Sequence, residues 1–227
     1  MKIKKLCMVA LFCALAYATM FVFRIKVSFL TFDAKDAIIT LAGLLFGPLA
    51  SLVISFTVAL IEMISVSDTQ FWGFLMNFLS SAAFSCTAAL IYKFKRSIKG
   101  AIIGLVASVF VTTAVMMLLN LIITPIYMDT TSSVVASMIP TLLFPFNLTK
   151  SVLNMAIVLI LYKPVSRAMK VAKVLPSAEQ GIATGAVVKD KKKSLTTSLV
   201  VLGIGLALVA ISVTVFILVL GGSISVA

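Results

Sequence analysis

The 227-residue chain has no histidine, three cysteines and one tryptophan, and only 11% of its residues are charged. Without histidine it lacks a common zinc ligand and the usual general base near neutral pH. Cys7, Cys13 and Cys86 lie in apolar runs without a CxxC spacing, so they read as small buried hydrophobes and not as a metal site or disulfide framework. GxxxxGK[ST], GxSxG and HExxH are also missing, which leaves nucleotide hydrolysis, serine hydrolase and metalloprotease chemistry without their required groups. An aspartyl protease would need paired aspartates inside spans, whereas Asp33 and Asp36 lie at a loop and a helix start. These absences favour binding or transport over catalysis, with no catalytic residue, metal or cofactor expected.

What the chain has in abundance is apolar surface, 62% of its residues, together with a formal net charge of +12. A soluble domain has roughly a quarter of its residues charged, so the expected class is all-α integral membrane. Nucleic acid is excluded as a partner because the cations fall in short clusters between apolar runs, not on one face. A spanning helix needs about 20 mostly apolar residues. Seven stretches qualify as segments: Leu6–Phe23, a shorter Asp36–Phe46, Leu49–Ile64, Phe71–Tyr92, Ile98–Ile123, Phe146–Tyr162 and Leu195–Leu220. Gly47-Pro48 punctuates the second and third.

The charges order these segments. Lys2, Lys4 and Lys5, then Lys93, Lys95, Arg96 and Lys99, then Lys163, Arg167, Lys170 and Lys173, fall on one side of an alternating topology, with Asp33, Asp36, Glu62, Asp68 and Asp129 on the other. The positive-inside bias therefore places the amino terminus in the cytoplasm. The basic start and small residues Ala14, Ala16 and Ala18 resemble a secretory signal, but the apolar run continues through Phe23 and reads as a span. The expected organisation is a membrane domain over 1–170, a basic cytoplasmic linker over 171–194 and an additional transmembrane helix over 195–220.

Polar residues inside spans are the default functional candidates. Asn77, Asn120, Asn147 and Lys150 fall at one depth near the outer face, and Asn147, Lys150 and Asn154 share a stripe of one helix at i, i+3 and i+7. Amides and an ammonium on such a stripe suit a small molecule with a polar edge. The alternatives are a snorkelling lysine and interhelical hydrogen bonds. Asn147-Leu148-Thr149 matches a glycosylation sequon but lies too close to a helix start to be read as one. The Arg24–Lys35 loop, apolar at intervals, could close over an outward cavity as a lid. Nearby aromatics, including Phe29, Phe32, Phe71, Trp72, Tyr127, Phe144 and Phe146, read mostly as an interface belt, with one or two free to stack on a planar ligand. Ala10, Ala14 and Ala18 make a smooth groove on the first helix for a partner helix, in this chain or another protein.

Several ordered pieces carry a family resemblance over residues 1 to about 170: Phe32-Asp33-Ala34-Lys35-Asp36 with Gly43-Leu44-Leu45-Phe46-Gly47-Pro48, then Gly73-Phe74-Leu75-Met76-Asn77-Phe78. Leu118-Leu119-Asn120, Thr124-Pro125-Ile126-Tyr127 and Pro145-Phe146-Asn147-Leu148-Thr149-Lys150 continue the series. Together they resemble the substrate-binding S components of energy-coupling factor (ECF) vitamin transporters, particularly the riboflavin type. The resemblance implies a six-helix bundle that binds riboflavin from outside with high affinity in a prokaryotic plasma membrane. It implies as partners a transmembrane coupling protein and two cytoplasmic ATPases, which supply the ATP hydrolysis. Asn120, Asn147 and Lys150 map onto the family's riboflavin site, with Asn77 a further member, Phe32 to Asp36 as the gate, and Ala10, Ala14 and Ala18 as the docking motif. The chain departs from the family in its linker and seventh span. The open alternatives are another vitamin, such as thiamine or folate, and a non-transport membrane assembly protein.

Overall fold

The computed structural model describes residues 2–22, 24–65, 69–172, 191–221 and 223–225. Asp68 and most of the 171–194 linker lie outside the described residues. Helix α1 (Lys2–Val22) leads into a hairpin of β1 (Arg24–Val27) and β2 (Leu30–Asp33), so the expected lid loop is a two-stranded ribbon. Ser28 adopts φ 55° in its two-residue turn, the left-handed conformation that tight hairpin turns use.

Next come α2 (Lys35–Phe46), α3 (Pro48–Ser65), α4 (Gln70–Phe94) and α5 (Ile98–Tyr127). Proline opens α3, where its missing N–H costs nothing, and Gly47 before it takes φ 97°. The Ser97 hydroxyl caps α5 by accepting from the Gly100 N–H at 3.0 Å. The segment expected to begin at Phe146 begins earlier. A short α6 (Ser132–Met138) runs through a π-helical turn, Ile139–Leu143, into α7 (Phe144–Val171). Pro140 and Pro145 are accommodated in and beside that turn. The last span is α8 (Lys191–Thr214), which ends in a second π-helical turn, Val215–Val219. After it β3 (Ser223–Ser225) joins the sheet in the order β2-β1-β3.

Among the described residues six stretches are long and apolar enough to cross a bilayer, and α2 is not one of them. Its 12 residues rise only about 18 Å against a hydrocarbon thickness of about 30 Å. It is a short central helix, buried over nearly its whole length between α1, α3, α4 and α7. At its C-terminus the Lys5 ammonium of α1 donates to the Phe46 carbonyl at 2.9 Å. The N-terminus of α2 therefore stops short of the opposite surface, and the hairpin fills the space above it.

The main apolar core joins Phe12 and Ala16 of α1, Leu41 of α2, Ile54 of α3, Phe84 of α4 and Val109 of α5. Helices α4 and α5 meet closely at Gly104, where a Cβ would lie 2.9 Å from the Ala88 carbonyl oxygen. Leu49, Phe110, Leu118 and Leu218 are more than 60% exposed, as expected where lipid is the solvent. Ala10, Ala14 and Ala18 also face outward, so none of the described residues covers the smooth groove of α1.

Candidate functional site

The short α2 creates a problem at membrane depth, because the first N–H groups of a helix have no intrahelical partner. Two side chains solve it. Asp33 Oδ1 accepts from the Lys35 N–H at 3.1 Å, and Asn154 Oδ1 of α7 accepts from the Ala37 N–H at 3.0 Å. Asn154 also donates to the Lys150 carbonyl at 3.1 Å. The member of the stripe furthest from the helix start is thus occupied in capping α2.

A buried ion network surrounds this terminus. Lys35, 1% exposed, pairs with Asp33 Oδ2 at 3.0 Å and with Glu62 Oε2 of α3 at 2.8 Å. Asp36 accepts a short hydrogen bond from Ser81 of α4 and lies 3.8 Å from the Lys150 ammonium. Burial alone would raise the pKa of the Asp33 carboxyl. The charges of Lys35 and Lys150, with the Lys35 hydrogen bonds, outweigh it and hold that pKa below the ordinary carboxylate range.

Against this network lies a cavity of about 290 Å³, walled by the hairpin and by side chains of α3, α4, α5 and α7. Asn77, Asn147 and Lys150 line it, with Asp33 and Glu62 of the ion network. Its aromatic lining is Phe29, Trp72, Tyr127 and Phe146; Phe71 and Phe144 are exposed, as a belt would be. Asn147 donates one amide hydrogen to the Leu143 carbonyl at 2.8 Å, which leaves its oxygen and second hydrogen for a ligand. At 3% exposure it is closed to glycosylation.

The other expected site residues fall behind the lining. Asn120 is fully buried, donates to the Met116 carbonyl at 2.7 Å and accepts from Thr124 at 2.9 Å, so its amide serves its own helix. Phe32 packs into the hairpin's apolar underside, and Asp36 stands behind Lys150. Glu62 is the site residue that sequence reasoning missed, and Lys35, which lay within the expected Phe32–Asp36 gate, is its ion-pair partner. An acid three residues from the end of an apolar run was the available signal, and its partner lies 27 residues away in the chain.

A larger recess of about 390 Å³ opens at the Lys5 end, lined by Lys93, Arg96, Tyr92 and Tyr162. Its cations are exposed, whereas Lys35 and Lys150 at the hairpin end are buried and paired. The hairpin end sets buried charged and amide groups against an aromatic wall, the combination that orients a small ligand.

A family profile described as ECF transporter, substrate-specific component, matches residues 4–166. The chain is 30% identical over 178 residues to the riboflavin transporter RibU of Staphylococcus aureus (strain TCH60), covering 74% of this chain and 93% of that protein. It also superimposes on a solved structure of the S component of a bacterial ECF transporter with a TM-score of 0.65 and 28% identity. That match covers 75% of this chain and 99% of the other.

Proposed function

Because the chain belongs to the substrate-specific components of ECF transporters, we propose that it captures riboflavin at its hairpin end for uptake across the membrane. One observation carries the reading. A cavity that unites two asparagine amides and an ammonium with an aromatic wall lies in a chain 30% identical to a riboflavin transporter. The isoalloxazine ring offers carbonyls and ring nitrogens along one edge and an apolar dimethylbenzene at the other. Asn147, Lys150 and Asn77 answer the first, and Trp72, Tyr127 and Phe146 cover the rings. Asn120 and Asp36 support from behind, and the hairpin from Phe29 to Asp33 acts as the gate.

The polar grouping contains no nucleophile and base arranged for catalysis, and substrate-specific components are transporter subunits. Energy for uptake comes from partners, a transmembrane coupling protein and two cytoplasmic ATPases. The outward-facing Ala10, Ala14 and Ala18 of α1 are the surface on which the coupling protein docks. The basic Lys5 end faces the cytoplasm of a prokaryotic cell and the hairpin end faces out.

Two expected results follow. Purified chain carries a flavin absorption spectrum or acquires it on adding riboflavin, and neither thiamine nor folate displaces the flavin. Colourless protein that ignores added riboflavin overturns the ligand, and displacement by another vitamin reassigns it. Ala14→Leu is expected to leave riboflavin binding intact and to reduce co-purification with the coupling proteins severalfold, because a larger side chain holds the docking helices apart. Unchanged co-purification removes the docking role of this face.

A further inference from the structure

Helix α8 lies beyond the residues that the family profile matches, and the uptake described above gives it no part. It runs along α7, with Gly205 allowing close approach to Ile160. Its far end then meets the hairpin in two ways. First, β3 pairs antiparallel with β1, Lys26 opposite Ser223 and Arg24 opposite Ser225, so that β1 is enclosed between β2 and β3. Second, the fully buried Phe216, in the π-helical turn that ends α8, packs against Phe32 of β2 with the rings tilted and their centroids 5.4 Å apart. It meets Phe146 of α7 at the same distance, edge to face. Phe146 and hairpin residues Phe29, Leu30 and Thr31 are cavity walls.

A two-stranded ribbon is marginal by itself, and a third strand or an apolar anchor supplies what it lacks. Here the same segment supplies both. Without β3, the outer edge of β1 would present unpaired backbone groups at the rim of an apolar bundle. Without Phe216, Phe32 would lose the aromatic partner that ties the hairpin to α7. We propose that α8 and β3 form a clasp that holds the hairpin closed over the cavity, so that ligand escapes outward only when the clasp lets go. Phe216 is then a positioning residue, acting on the ligand through Phe32 and Phe146. The identity of the ligand rests on the riboflavin reading; the clasp itself does not.

Two full-length variants and two readouts test it. Phe216→Ala is expected to raise deuterium uptake across residues 24–33 in the ligand-free chain and to speed riboflavin release about tenfold, with Phe216→Leu intermediate. Residues directly opposed in an antiparallel pair lie about 4.5–5.5 Å apart at Cα, within disulfide range. A Lys26→Cys/Ser223→Cys pair, in a chain with Cys7, Cys13 and Cys86 replaced by alanine, is therefore expected to slow release when oxidised and to regain the original rate on reduction. Deuterium uptake and release that stay unchanged in both variants overturn the clasp. If the unsubstituted chain does not bind riboflavin, the ligand reading fails, and deuterium uptake in Phe216→Ala still decides the clasp.

Discussion

Replacing Lys35 by methionine is expected to destabilise the chain more than any other single change at the hairpin end, by roughly 3–5 kcal/mol. Lys35 is 1% exposed, and its ammonium bridges Asp33 at 3.0 Å and Glu62 at 2.8 Å. Methionine fills much the same volume, so the loss is electrostatic: two carboxylates remain buried, close together and without their shared cation. Removing one partner of a buried ion pair costs far more than the pair contributes over an apolar replacement, because the desolvation penalty of the survivor is left uncompensated. At about 2–4 °C per kcal/mol for a chain of this size, the thermal midpoint in detergent should fall by roughly 6–20 °C. Adding Asp33→Asn and Glu62→Gln to the same chain neutralises the stranded charges and should recover part of the loss. A midpoint that Lys35→Met leaves unmoved would show that the network contributes nothing to folding. The triple variant separates charge from packing, since a packing defect would persist in it.

The same network shows where sequence reasoning stops. The spans were legible because lipid-facing helices must be apolar over a fixed length, and α1, α3, α4 and α5 begin and end within a few residues of their expected bounds. The shared depth of Asn77, Asn147 and Lys150 was legible for the same reason, since depth follows from position along a span. What depth does not give is the direction in which an amide is spent. Asn120 bonds to its own helix and Asn154 caps α2, whereas Asn147 keeps an oxygen and an amide hydrogen for the cavity; this depends on rotamers and on a neighbouring helix end. Glu62 was read only as a charge on the outer side, because its partner Lys35 belongs to a different helix. The start of α6 was hidden by Pro140 and Pro145, which locally signal a break. The π-helical turn accommodates them only because α6 and α7 are both held by the bundle. The sheet formed by β1 and β3 joins segments about 200 residues apart, a pairing that no local pattern announces.

Lys150→Gln is expected to weaken riboflavin binding by roughly ten- to hundredfold while lowering the thermal midpoint much less than Lys35→Met. Both lysines are buried cations beside carboxylates, so the contrast rests on geometry. Lys35 spends its ammonium on two close oxygens, whereas Lys150 stands 3.8 Å from Asp36, beyond hydrogen-bond distance, and lines the cavity. Asp36 keeps its Ser81 partner when Lys150 is replaced, so no carboxylate is stranded as completely as Asp33 and Glu62 would be. The donors left on Lys150 are free to meet a ligand carbonyl. A hydrogen bond to a charged group contributes about 1.5–3 kcal/mol, which at 1.4 kcal/mol per decade corresponds to the expected loss. Asn147→Ala should follow in the same direction with about a tenfold loss, a neutral hydrogen bond being weaker. Asn154→Ala, one turn further along the same stripe, should do the reverse. It uncaps α2 and so lowers the midpoint, with affinity changing less than for Lys150→Gln. Titrating riboflavin into the three variants and melting each without ligand separates the roles. If Asn154→Ala weakened binding as much as Lys150→Gln did, the stripe would be one structural unit and the assignment of Lys150 to the ligand would fail.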